Sequence, residues 1–294
     1  MIPRSIEMAL PTKRRQSVHP ISRSLIAAVT LLVLSSLTAF IAPATPAQAA
    51  APNRQGLPVV AGTRIDMQYG GECTAGLVLR KSGILAFLSM KERATRYIII
   101  AAHCVNRPQE GILVGDTLVG EVLQRDPEYD IAIARVEPVA HQQTYCSRTS
   151  FGGVSCTRSY TYTPRAVGRV ILADPRTRGD GSIALNGTGS PAGDEAFCTS
   201  GSFSGVNCEF RTATYPRDSS WFTKGVPEVA RNNTFSLMRG DSGGPVVSPS
   251  GKFYGIITDS GSYSSEPSLL GLMGYVDAAK VLRFANGYSI APAS

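Results

Sequence analysis

The chain has 294 residues with 29 Lys and Arg against 22 Asp and Glu, a formal net charge of +7, and six cysteines. Of that charge +4 lies in residues 1–49, so the rest of the chain carries only +3, with no basic run long enough to track phosphates and no aromatic residues interleaved with basic ones. Composition thus excludes a nucleic-acid-binding role. About 245 residues follow residue 49, enough for one large β domain or two small barrels with a real core.

In chain order, the first element is an export segment. Arg4, Lys13, Arg14, Arg15 and Arg23 precede an apolar stretch over 25–42, and Ala47-Gln48-Ala49-Ala50 supplies the small residues of a cleavage site. Residues 1–49 therefore read as a signal peptide, with cleavage after Ala49 giving a secreted protein. The alternative is an uncleaved anchor holding the protein on a membrane facing outward, since the stretch approaches spanning length. The hydroxyls of Thr30, Ser35, Ser36 and Thr38 and the small-residue site favour cleavage. Residues 50–58 form a short extension.

Glycine, proline, serine and threonine then punctuate the chain, and long runs of period 3.6 are scarce, so the reading is all-β with many short strands. Strands are expected over 74–80, 97–101, 112–124 and 130–136. Residues 137–163 read as a less regular connection carrying Cys146 and Cys156, with His141 beside Gln142 and Gln143 exposed and without a role. Strand character resumes over 166–173, 182–186, 207–215, 245–248, 252–259 and 272–276. Asp277 then caps a helix over 278–285.

Three motifs carry chemistry. Ile100-Ala101-Ala102-His103-Cys104 offers a base, Tyr129-Asp130-Ile131-Ala132-Ile133-Ala134 an acid opening an alternating run, and Arg239-Gly240-Asp241-Ser242-Gly243-Gly244-Pro245 a hydroxyl on a glycine-rich turn. A serine hydroxyl is a poor nucleophile at neutral pH, so acyl transfer needs an imidazole to take its proton and a carboxylate to orient that imidazole. The turn also satisfies the G-x-S-x-G elbow of α/β-hydrolases, which place the histidine after the serine; here His19, His103 and His141 all precede Ser242, so that reading lacks a base. Taken singly, His103 could be a core histidine, Asp130 a surface acid and 240–245 a tight turn. Their joint occurrence in this order favours catalysis.

These motifs resemble the chymotrypsin-like serine proteases, and the likeness runs from about residue 59 to 283. It is nearest to the compact bacterial branch that includes streptogrisins and α-lytic protease, through Val59-Val60-Ala61-Gly62, Cys73-Thr74-Ala75-Gly76 and the segment from Cys198-Thr199-Ser200-Gly201 to Gly205-Val206-Asn207-Cys208. The resemblance implies two six-stranded antiparallel β-barrels of the trypsin-like type with a C-terminal helix, the first at 59–138 with His103 and Asp130, the crossover, second barrel and helix at 139–294 with Ser242. It implies a His103, Asp130, Ser242 triad, an oxyanion hole of Gly240 and Ser242 amides, and a substrate pocket based on Ser236 and walled by Thr258, Asp259 and Ser260. An uncharged Ser236 points to neutral or apolar substrate side chains.

All six cysteines follow residue 49, as oxidation outside the cytoplasm requires, and of their fifteen pairings proximity and the resemblance favour Cys73–Cys104, Cys146–Cys156 and Cys198–Cys208. The alternative of a metal site lacks paired Cys-x-x-Cys units, no EF-hand loop occurs, and this triad needs neither metal nor cofactor. The expectation is a monomeric secreted endopeptidase acting on protein or peptide substrates, with no membrane partner after signal cleavage. An esterase-like hydrolase on the same triad and a catalytically silent binding module are the alternatives. Two departures stand out: Leu237-Met238-Arg239 lacks the cysteine that many relatives carry before the nucleophile turn, and no long folding pro-region precedes residue 59.

Overall fold

The computed structural model describes residues 54–294 apart from Pro175, Thr177, Arg178, Tyr215 and 225–227; the export segment, and with it residues 50–53 of the extension, lies outside the described residues. Strands dominate. Strand β1 (Val59–Ala61) leads to β2 (Arg64–Met67), β3 (Glu72–Thr74) and β4 (Leu77–Lys81), followed by β5 (Arg96–Ala101), β6 (Gly111–Val114), β7 (Thr117–Asp126) and β8 (Ile131–Val136). Strand β5 is buried at every position, and its β-branched Ile98-Ile99-Ile100 run suits the interior of a sheet covered on both faces. The expected strand over 112–124 is two strands, because Gly115 turns the chain at φ 56° and sets Val114 opposite Thr117.

Residues 137–163 are more regular than their composition suggests. They form a two-stranded ribbon of β9 (Val139–Arg148) and β10 (Val154–Thr163), paired over ten residues and belonging to neither barrel. Most of its side chains are exposed, so no apolar alternation marks it in the sequence. Strands β11 (Ala166–Asp174) and β12 (Gly179–Ala184) follow, with β1 laid parallel along β11.

The second half closes. Strands β13 (Phe197–Gly201), β14 (Gly205–Thr212), β15 (Glu228–Arg231), β16 (Pro245–Val247), β17 (Phe253–Ser260) and β18 (Leu272–Asp277) make a six-stranded barrel ordered β13-β14-β15-β18-β17-β16. A helix over Ala278–Phe284 follows, capped by Asp277, whose carboxylate accepts the Lys280 N–H at 2.9 Å. The last strand, β19 (Tyr288–Ile290), returns to pair with β4, so the first sheet runs β19-β4-β5-β8-β7-β6-β2-β3. The result is a trypsin-like fold of one closed barrel, one half-barrel and a C-terminal helix. Between the halves, Leu77, Ile99 and Ile133 of the first pack with Val247, Ile256 and Val276 of the second in one apolar cluster.

The cysteines form three disulfides, Cys73–Cys104, Cys146–Cys156 and Cys198–Cys208. Among the described residues no helix is long and apolar enough to cross a membrane.

Candidate active site

His103 sits on the single 3-10 turn Ala102–Cys104 that ends β5, and Asp130 on the turn that opens β8. The two strands are neighbours, and the pairing of Ala101 with Ile131 brings these ends together. Asp130 then grips the histidine segment at three points. Its carbonyl accepts the Ala102 N–H at 3.1 Å, its Oδ1 the His103 backbone N–H at 2.7 Å, and its Oδ2 lies 2.7 Å from His103 Nδ1. Facing a carboxylate, Nδ1 keeps its proton and Nε2 presents the lone pair. Asp130 has φ 54°, a left-handed conformation that aspartate tolerates better than most residues, at a cost of about 1–2 kcal/mol offset by these bonds. The hydrogen bond to Asp130 and the charges of Asp130 and Asp259 raise the His103 pKa, against partial burial that lowers it. Asp130 is partly covered rather than buried, with 24% of its side chain exposed, because it stands at the rim of the sheet.

The serine turn is built around a second carboxylate. Asp241 is buried, and it accepts N–H bonds from Phe203 at 3.0 Å and Ser204 at 3.1 Å on one oxygen and from Met238 at 2.7 Å on the other. Gly240 has φ 91° and its carbonyl is turned inward, accepting Thr74 Oγ1–H at 2.7 Å. The N–H groups of Gly240 and Ser242 donate to no acceptor among the described residues.

A chain of short links joins the two parts. Thr74 N–H donates to the Ser242 carbonyl at 2.9 Å; Thr74 adjoins Cys73, Cys73 is bonded to Cys104, and Cys104 adjoins His103. On the other side of the serine, a Cβ at Gly243 would stand 2.6 Å from Thr74 O and 2.8 Å from Ala101 N, so the turn rests directly on the backbone before the histidine. The Ser242 hydroxyl makes no hydrogen bond among the described residues, and His103 uses Nδ1 alone. Such contacts commonly tighten only when substrate is bound.

The model of the trypsin-like peptidase domain matches residues 81–256, well over half of the chain. The chain belongs to the trypsin-like peptidase family. No curated protein matches it. Among solved structures, the peptidase is similar to Cellulomonas bogoriensis chymotrypsin, with 16% identity over 80% of this chain and 99% of that one and a TM-score of 0.49. It is also similar to the active form of the Rv3671c protease from M. tuberculosis, with 14% identity over 98% and 97% of the two chains and a TM-score of 0.40.

The peptidase keeps the expected pocket residues in two places. Ser236 is exposed and lines a cavity of about 350 Å³ with Asn232, Thr234, Phe235, Ser262 and Gly271. Thr258, Asp259 and Ser260 do not line that cavity; they lie at the end of β17, one to three residues beyond Ile257, whose carbonyl accepts the Gly243 N–H at 2.7 Å. Sequence reasoning missed the braces of the serine turn. Tyr263 OH accepts the Arg239 N–H at 3.2 Å while the Arg239 guanidinium sits 5.5 Å over its ring, and the Phe203 ring covers Gly240 with Arg64 stacked on it at 4.9 Å. These contacts, with those of Asp241, hold the serine turn.

Proposed function

We propose that the protein is a secreted serine endopeptidase that cleaves peptide bonds through an acyl-enzyme. The reading rests on one observation above the others: the two-point grip of Asp130 on His103, on a turn that packs against the Ser242 segment. His103 Nε2 takes the Ser242 proton as Oγ attacks the carbonyl carbon, and Asp130 holds the tautomer and stabilises the imidazolium. The tetrahedral oxyanion is met by the N–H groups of Gly240 and Ser242, which have no acceptor to give up among the described residues; one such donor is worth about 10²–10³ in kcat. His103 next passes its proton to the leaving amine. Water, activated by the same imidazole, then releases the acyl group from Ser242.

In this reading residues 59–138 carry the base and its carboxylate, and 139–294 the nucleophile. Residues 1–49 direct export and are removed, and the three disulfides suit the oxidising exterior. Ser236, Thr258, Asp259 and Ser260 bound the substrate site, with neutral or apolar side chains preferred at the scissile residue. The enzyme works as a monomer.

Mass spectrometry of protein treated with a serine-reactive phosphonate tests the assignment. Modification of Ser242, abolished in Ser242→Ala and accompanied by casein degradation, is expected. An unmodified native protein overturns the enzymatic reading, and hydrolysis of small esters without casein cleavage overturns the peptidase reading. A peptide panel in which lysyl or arginyl substrates dominate turnover overturns the specificity.

A further inference from the structure

Arg54 is a residue the sequence gives no reason to notice. It lies in the extension, five residues before β1, and yet it is 1% exposed, a fully buried guanidinium. All three of its nitrogens donate. Nε and Nη2 donate to Asp180 Oδ2 on β12 at 3.0 and 2.7 Å, and Nη1 donates to the Gly62 carbonyl at 3.1 Å and to Ser200 Oγ on β13 at 3.0 Å. Gly62, at φ 97°, is shaped to the same purpose, since a Cβ there would come within 2.6 Å of Ser200 Oγ and 3.1 Å of the guanidinium. Asp180 faces the group as its ion-pair partner, so the charge is matched in place.

What Arg54 holds is the bed of the serine turn. Ser200 is followed by Gly201, whose missing Cβ makes room for the Asp241 carboxylate; Ser202 N–H donates to Thr74 Oγ1, which holds Gly240 O; Phe203 and Ser204 donate to Asp241. Five consecutive residues thus run from the Arg54 contact to the groups that orient Gly240 and Ser242. We infer that Arg54 is a positioning residue: the extension is a latch that sets β13 under the serine turn, so a chain cut beyond Arg54 loses acylation rate. This rests on the proposed serine chemistry. It makes N-terminal trimming past this point an inactivating event.

The test compares the phosphonate labelling rate of Ser242, kcat and KM for the native chain, Arg54→Lys, Arg54→Met and Ser200→Ala, each read well below its own Tm. Arg54→Met is expected to lower kcat and labelling rate together by tenfold or more with KM within threefold, and Arg54→Lys to recover part of that loss. Ser200→Ala, which removes only one hydroxyl acceptor, is expected to lower kcat about threefold and carries the test if Arg54→Met fails to fold. A folded Arg54→Met, or Ser200→Ala, with kcat and labelling within 1.5-fold of native and only a lower Tm makes the latch a stability element alone and overturns the inference. A native chain that is not labelled at all fails the serine chemistry instead, which separates the two.

Discussion

Asp130 holds the backbone and the ring of His103 with one carboxylate. It holds the His103 N–H and the ring with different oxygens, so Asp130→Asn keeps much of the turn while inverting the donor at Nδ1; a fall of about 10⁴ in kcat is expected. Ser242→Ala, by comparison, is expected to cost on the order of 10⁶. Because the His103 pKa is raised by Asp130 and further by Asp259, the base is neutral only above the ordinary histidine value of about 6.5, and kcat/KM climbs with pH through that higher point. Asp259→Asn removes one of the raising charges, and the acid limb of the kcat/KM profile is expected to move to lower pH. An unmoved limb would show that the Asp259 charge does not reach the imidazole. The protonated ring also stabilises the fold below about pH 6.5, and that contribution is lost as pH rises through the raised value, so Tm measured without substrate falls slightly across it. His103, Asp130 and Ser242 could be picked out as candidates because each sits in a motif that the proposed reaction would constrain. Phe203, Tyr263 and Thr74 could not, since their contacts come from distant segments and their residue types signal nothing.

The glycines of the serine turn belong to the element rather than to the reaction. Gly243, at φ 81°, packs on two backbone atoms, Thr74 O and Ala101 N, that have no side chain able to yield. Gly243→Ala is therefore expected to lose on the order of 2–4 kcal/mol of stability, from left-handed strain and the clash together, measured by urea unfolding. The ribbon of β9 and β10 gives the opposite expectation. Its disulfide closes a short loop worth about 2–3 kcal/mol locally, but the ribbon is hydrogen-bonded into neither barrel. A Cys146→Ala, Cys156→Ala double variant is expected to be nicked by added protease near Phe151, which is fully exposed, while kcat/KM on small peptides stays within twofold. The strands expected over 97–101, 130–136, 166–173, 245–248, 252–259 and 272–276 lie within two residues of β5, β8, β11, β16, β17 and β18, whereas the short β2 and β15 went unread. The ribbon went unread too, because a strand wet on both faces has no alternation to show. Its threonines and tyrosines favour strand, but that preference is weak beside a missing pattern.

Across the whole molecule, the two halves are tied by the chain ends. The segment before β1 reaches β12 and β13 through Arg54, and β19 runs back from the helix to pair with β4, with Tyr288 packed edge-on against Tyr97 at 4.8 Å. A chain ending at Ala285 bares the β4 edge and uncovers part of the shared apolar cluster; a lower Tm and soluble aggregates in size-exclusion chromatography are expected, against a native chain that elutes as one species. The two-barrel plan came from the resemblance to the protease family, while the crossing of the termini had no signal, since nothing in Tyr288-Ser289-Ile290 says which edge it will join. Strand β17 supplies the acceptor for the Gly243 N–H, and β19 joins the sheet that carries His103 and Asp130, so both candidate segments depend on strands that come late in the chain.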